Sequence, residues 1–463
     1  MGELSPLAGN PLEPGAPPAE SPRYSGLQNL AVALVFVAAF GRQLAYVSRY
    51  AVNLMYGDQW AIYQPQFQGQ GWWASFFFQH GPHREGLGMI LARFLANLSG
   101  WNSRWDAFAA LSLLLAAAVL AVALARRFGA LRHPLLAAGL PLLFLNVHQY
   151  EVFVGPVNLS HGSMPVLLVI VCSLAWFIRD PLPRHLVIGT VTVLATFTGF
   201  GIFLGVVSPV LVGFEAGQAG RKGKRAEAGF ALLDLAIIGL GWVVFAHGYK
   251  FQPAVDGFRF PYEQPAEYLV FVGRMLGNFA GLPVLSGAEL LVGLGLAAAL
   301  LGLALYHGTR CLRRTVAAEP RSAVLFSLAS FTLLFCANCA VGRVFTGVTA
   351  PLAPRYVTLL IPGMLALYLQ LVALADRRAG YLAALVALSL LVPTTAFLQP
   401  FESVGTRWYA DGRTAWKAAY LRTGSEGEAN RAAGFSIYPV SVEPQLRYLR
   451  AHHLNLYRDS PAP

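Results

Sequence analysis

Long, almost uncharged apolar runs constrain this chain more than any other feature. Ala107 to Leu124, Ala288 to Leu305, Ser322 to Val341 and Tyr356 to Ala375 each approach the roughly 20 residues that a helix needs to cross a bilayer. A soluble domain has no way to keep several such stretches out of water. Hydrophobic residues form 56% of the 463 and charged residues only 12%, about half the usual charged share, so the runs set the character of the whole chain. The expected fold class is an all-α integral membrane protein.

The formal charge of +11 does not point to nucleic acid. The basic residues fall in short clusters at the ends of apolar runs, where Lys and Arg set topology. The lipid bilayer is therefore the expected partner, and no nucleic acid is. Cys172, Cys311, Cys336 and Cys339 lie in or beside membrane runs and show no disulfide framework. Cys336 and Cys339 are spaced like a metal or redox pair, but no second pair accompanies them, and small residues on one helix face are the simpler reading.

Counting runs gives about eleven membrane segments, starting near Leu27, Trp105, Pro134, Met164, Leu186, Phe200, Phe230, Ala288, Ala323, Tyr356 and Tyr381. Residues 1–26 are proline-rich and poor in large apolar side chains, the composition of a disordered tail. They lack the basic start and short apolar stretch of a signal peptide, so the first run is read as a retained helix. Alternate loops carry Arg126/Arg127/Arg132, Arg179/Arg184, Arg221/Lys222/Lys224/Arg225, Arg310/Arg313/Arg314/Arg321 and Arg377/Arg378. Positively charged short loops stay in the cytoplasm. The expectation is a cytoplasmic tail over 1–26, a multi-pass domain over 27–398 in the cell (inner) membrane, and an extracytoplasmic C-terminal tail over 399–463 with amphipathic helices, such as Val442 to Leu456, able to lie against the membrane domain.

Leu186 to Phe214 tests that parity. It is too long for one ordinary span, too short for two full ones, and flanked by basic clusters at both ends. Two short helices meeting at Thr198-Gly199-Phe200-Gly201 keep both clusters on one side, with an irregular apex that must be buried by protein or face a cavity. One long tilted helix is the alternative.

The long segments then all fall on the outer side: Tyr50 to Arg104, His148 to Gly162, His247 to Gly287, Arg343 to Arg355, and the tail. Loops long enough to build a site occur only there. The first reads Met55-Tyr56-Gly57-Asp58-Gln59-Trp60, then Gln79-His80-Gly81-Pro82-His83-Arg84-Glu85, an acid, imidazoles, a guanidinium and aromatics at a membrane boundary. Such a mixture suits a lipid-borne phosphate, since arginine matches phosphate oxygens and aromatic faces stack on sugars or prenyl chains; an ordinary interfacial aromatic belt is the bland alternative. Asp58 is the foremost carboxylate, either a proton acceptor or a cap on a helix beginning at Gln59. His80 and His83 have a metal-like spacing with Glu85 near, but Gly81-Pro82 breaks the helix that would align them, so no metal site is assigned. His148 and Glu151 add a further imidazole and acid. Arg343 closes one span and Arg355-Tyr356 opens the next, a pair able to hold a pyrophosphate or a phosphate leaving group, or merely to snorkel to headgroups.

Asp58-Gln59-Trp60, His83-Arg84, Gly342-Arg343, Arg355-Tyr356 and the tail's Leu446-Arg447-Tyr448-Leu449-Arg450 together resemble the GT-C superfamily of multi-helix membrane glycosyltransferases, particularly its bacterial envelope-polysaccharide members. That resemblance implies a polyprenyl-phosphate-linked sugar donor, a glycan, lipid or protein acceptor, and an acidic loop residue near the reaction, carried over here to Asp58. On this reading of the residues Arg343, Arg355 and Tyr356 are expected at the phosphate and His83, Arg84, Gln59 and Trp60 at the substrates, with His80, Glu85, His148 and Glu151 as candidate assisting groups. Many members show two acids where Asp58 is followed by Gln59, so a divalent cation is an optional cofactor only. A transporter or lipid-linked-sugar flippase, favoured by the broken Leu186 to Phe214 element, and a non-catalytic assembly subunit are the competing readings.

Overall fold

The computed structural model describes residues 25–129, 137, 139–253, 257–282, 284–374, 378–392 and 403–458. Almost all of the 1–26 tail, the start of the run expected from Pro134, and the basic residues Arg132 and Arg377 lie outside them; the rest of that run includes a short helix over Leu140–Phe144. The described residues are predominantly helical, with one two-stranded hairpin. Seven helices are long and apolar enough to cross a membrane: α1 (Ser25–Tyr50), α3 (Arg104–Arg127), α6 (Ile202–Arg221), α7 (Arg225–Ala246), α9 (Gly287–Arg313), α10 (Pro320–Arg343) and α11 (Arg355–Leu374). Shorter ones are α2 (Gly86–Ser99), α4 (Ser163–Ala175), α5 (Pro181–Thr196), α8 (Ala266–Phe279) and α12 (Arg378–Val392), followed by α13 (Val404–Thr423), α14 (Glu426–Ala433) and α15 (Glu443–Ala451) in the tail.

The expected count of about eleven spans is thus corrected to seven long ones among the described residues. At about 1.5 Å per residue, α4 and α5 reach only about 20–24 Å, short of the roughly 30 Å hydrocarbon core. Apolarity alone does not separate such helices from full spans. The sequence also hid α2 and α8, which occupy stretches read as loops.

The long helices carry large apolar side chains on their outer faces, including Val37, Leu240, Val243, Leu291 and Leu305, each more than half exposed. Rows of this kind on several helices suit lipid rather than water. Inward, the bundle satisfies its own polar groups. Pro362 interrupts the α11 hydrogen-bond ladder, and the neighbouring Gly363 N–H donates to Thr332 Oγ1 on α10 at 2.8 Å.

The break in Leu186 to Phe214 falls where the sequence placed it. α5 ends at Thr196, a single 3-10 turn spans Gly199–Gly201, and α6 runs back from Ile202 against α5. The apex is buried, and the long tilted helix is excluded.

The five long segments gather at one end of the bundle. Tyr249 O–H donates to Pro82 O at 3.0 Å, and Lys250 N–H to Gln79 Oε1 at 3.2 Å, tying the segment after α7 to the first loop. Arg413 of α13 donates to the carbonyls of Val154, Val52 and Leu54, stapling the tail to the end of α1 and to the segment before α4. Leu446 and Leu449 bury the apolar face of α15, and Asn455 donates to Asn53 Oδ1 and Trp101 O. The described part of the tail therefore packs on the bundle through the apolar face of α15 and these hydrogen bonds. Basic loops meet at the opposite end, where Arg321 donates to Arg127 O and Gln218 to Arg314 O.

Candidate functional site

A cavity of about 350 Å³ opens where these segments converge, and Asp58, His80, His83, Glu151, Arg343, Arg355 and Tyr356 all line it. Local structure decides which side chains arrive. Gln79–His80 (β1) and His83–Arg84 (β2) form a two-stranded hairpin turned by Gly81 and Pro82, with His80 paired to His83 and Gly81 at φ 56°. Alternate strand residues face opposite sides, so His83 enters the cavity and Arg84 leaves it. Arg343 ends α10 and Tyr356 begins α11, which brings both guanidinium groups to one phenol ring: Arg343 lies 6.0 Å and Arg355 5.5 Å from its centroid.

The two arginines differ in partners. Arg355 Nη1 is 3.2 Å from Glu151 Oε2, which also accepts the Arg355 N–H at the start of α11, while Glu151 Oε1 accepts from Tyr409 O–H at 2.8 Å. Arg343 makes no ion pair among the described residues, although it lines the same space. Among the described residues the Tyr356 hydroxyl, which lies beside the Arg355 guanidinium, and the Asn158 amide nitrogen are buried there without well-formed hydrogen bonds. A cation without an ion pair beside such donors is the chemistry of an anion subsite.

Asp58 occupies the N-cap position of the short helix Gln59–Ile62, but its side chain makes no capping bond, which removes the cap reading. It faces His80 instead, with Nε2 at 3.7 Å from Oδ1, and is half exposed. Burial acts to raise its pKa, but the His80 interaction outweighs this and, with the charges of His161 and Arg355, brings it to about 2. His80 moves the other way: burial opposes its charge, yet Asp58 and the more distant Glu85 hold its pKa above the usual value. Burial, reinforced by the charges of His161 and Arg343, drives His83 well below, so it is a neutral imidazole.

Five expected residues are placed elsewhere. Gln59 donates to Asp106 Oδ2 at 2.9 Å, and Trp60 is fully buried with Nε1 donating to Met55 O; both serve the core under the loop. Arg84 donates to the carbonyls of Phe77, Phe245 and His247, holding the hairpin on the C-terminal end of α7. His148 does not line the cavity, and burial lowers its pKa to about 4. Glu85 is completely buried behind the wall, 3.2 Å from His161 Nε2.

The sequence reading missed His161, Asn158 and Phe200 in the lining, and Tyr409 behind Glu151. His161 lay inside a segment already read as functional, but nothing in its neighbours distinguished it from His148. The rings of His83, His161 and Phe200 meet edge to face or tilted, 4.5–5.3 Å apart, and form one wall. Among the described residues no group of three or more His, Cys, Asp or Glu is arranged to hold a metal ion, so no role is routed through one.

No family model matches the chain, and no curated protein is significantly similar to it in sequence.

Proposed function

We propose that this polytopic membrane protein is a glycosyltransferase that moves a sugar from a polyprenyl-phosphate carrier to a glycan, lipid or protein acceptor, with its site on the extracytoplasmic side. The observation that carries the reading is the convergence in one cavity of an arginine that makes no ion pair among the described residues, a buried tyrosine hydroxyl and an ionised carboxylate, drawn from segments almost 300 residues apart. Its volume is within the ordinary range of small-molecule sites, and it opens at an end of a bundle that lipid surrounds. That is where a lipid-borne, phosphate-bearing donor would be met.

In this reading Arg343 and Tyr356 hold the phosphate, whose negative charge grows as the sugar leaves. Asp58 accepts a hydrogen bond from the acceptor hydroxyl and orients it. A carboxylate with a pKa near 2 stays ionised but retains a proton poorly, so orientation is the role its surroundings favour. The re-entrant α5 and α6 pair is the one feature that favours the flippase alternative, since its apex carries Phe200 to the cavity wall.

The test is transfer of a labelled sugar from polyprenyl-phosphate donors by the purified protein in nanodiscs, alongside donor affinity. Losing a charge-assisted hydrogen bond costs about 1.5–3 kcal/mol, so Arg343→Ala should weaken donor binding roughly tenfold or more. Movement of the lipid across the bilayer without transfer would favour the flippase.

A further inference from the structure

The Glu85 carboxylate is an anomaly that the roles above do not use. It is 0% exposed and neither of its oxygens makes a hydrogen bond among the described residues. An uncompensated buried carboxylate is costly, and the group that faces it is the His161 imidazole, with Nε2 at 3.2 Å from Oε1. The surrounding backbone is built to bring these two together. Gly88 on α2 lies so close to Ser160 that an added Cβ would fall 2.1 Å from its hydroxyl oxygen. Gly199, at φ 51° in the re-entrant apex, leaves no room for a Cβ against the His161 ring, which would sit 2.5 Å from Cδ2. Ser160 Oγ closes the junction by donating to Glu85 O. The Cδ2–Nε2 edge of the ring is thus turned to Gly199 and Glu85. Nε2 itself is buried, while the side chain as a whole is 21% exposed and lines the cavity.

From this geometry, and resting on the glycosyltransferase reading, we infer that His161 is the group that takes the proton from the acceptor, with Glu85 as the residue that positions it. With its carboxylate 3.2 Å from Nε2, Glu85 favours the proton on that nitrogen by its charge, which leaves the Nδ1 lone pair for the cavity. As transfer proceeds, the acceptor O–H bond breaks and its proton passes to Nδ1. The freed electron pair forms the new bond to the anomeric carbon, and the bond from that carbon to the phosphate breaks, its pair leaving with the phosphate held by Arg343. Glu85 then stabilises the imidazolium. The His83 ring also packs on His161, and Arg343 and Asp58 line the same cavity; His83 is neutral, so the anionic group in contact is Glu85.

The experiment is chemical rescue. His161→Gly in nanodiscs should lose about 10²- to 10⁴-fold in turnover while keeping donor affinity, and added imidazoles of similar size should restore turnover in proportion to their basicity. Glu85→Gln should bind donor normally and lose turnover, because its amide keeps the shape without the charge. If the glycine variant does not fold, His161→Asn is read for the loss of turnover at retained melting temperature. Undiminished turnover in the His161 variants, or rescue that follows size and ignores basicity, overturns the assignment while leaving the transferase reading intact. A wild-type protein that transfers no sugar removes both.

Discussion

One oxygen of Glu151 receives both the guanidinium of Arg355, at 3.2 Å, and its backbone N–H, at 3.3 Å. The carboxylate therefore neutralises the arginine and also caps α11, where a negative charge meets the positive end of the helix dipole. Its second oxygen takes the Tyr409 hydroxyl from the tail. Two consequences follow: Arg343 is left as the freer cation of the pair, and the tail is fastened to the cavity wall. Tyr409→Phe deletes one hydrogen bond to a charged group, a loss of about 1.5–3 kcal/mol. A lower melting temperature and faster hydrogen exchange across α13 are expected, and unchanged values in both would mean that the tail is held by its other contacts, those of Arg413, Asn455 and the buried face of α15.

The Asp58 and His80 pair gives a pH dependence whose sign can be fixed. Asp58 is depressed from 3.8 to about 2, so its contribution is complete above about 4 and lost as pH falls through about 2. His80 is raised above 6.5, so its contribution is complete below about 6.5 and lost as pH rises through the folded value. The pair is strongest between roughly pH 4 and 6.5. Buried His83 and His148 act oppositely, losing stability on acidification below about 6.5, so the quantity to measure is the difference in melting temperature between wild type and His80→Gln. That difference should be larger at pH 5.5 than at pH 9 and shrink in high salt; because Asp58 is half exposed it should stay below about 1 kcal/mol. A difference flat with pH would show that the pair does not form.

How far the sequence could be read depended on whether one residue or a direction was at stake. Thr198-Gly199-Phe200-Gly201 was legible as a break because run length and loop charge left few alternatives. Seven of the expected site residues reach the cavity because they sit at the ends of spans or in segments that parity had already placed together. His83-Arg84 was read as a unit and is not one: neighbours on a strand point apart, and that direction is set by a hairpin too short to leave a periodic pattern. Glu85 and His161 are 76 residues apart, and only the close approach permitted at Gly88 and Gly199 joins them.

The gathering of the long segments at one end leaves the absolute side of the membrane to be measured. Ser160, which outer labelling would otherwise use, is buried against Gly88 and unsuitable. Single cysteines at the exposed Gln70 and Val440 should react with an impermeant maleimide in intact cells, and one at the exposed Gly223 should not. The native cysteines are all buried, which keeps the background low. Labelling of Gly223 alone would invert the molecule and move the cavity to the cytoplasm.

Asp58 separates the proposed chemistry from a purely structural loop most sharply. Its side chain makes no cap bond on the helix Gln59–Ile62, so Asp58→Asn leaves that helix unaffected, and the contact with His80 is exposed enough for its loss to cost little stability. Expression and melting temperature should stay close to wild type. Turnover should not, because an amide in place of the ionised carboxylate offers the acceptor hydroxyl a weaker and differently directed partner. Misplacing a reacting group by about 1 Å costs roughly 10²-fold, and a loss of that order in kcat is expected. Asp58→Glu should recover little, since the added methylene displaces the carboxylate by a similar distance. Donor affinity should hold in both variants, because the phosphate is assigned to Arg343 and Tyr356 on the facing wall. Near-normal turnover in Asp58→Asn would remove the carboxylate from the reaction and leave acceptor activation to His161.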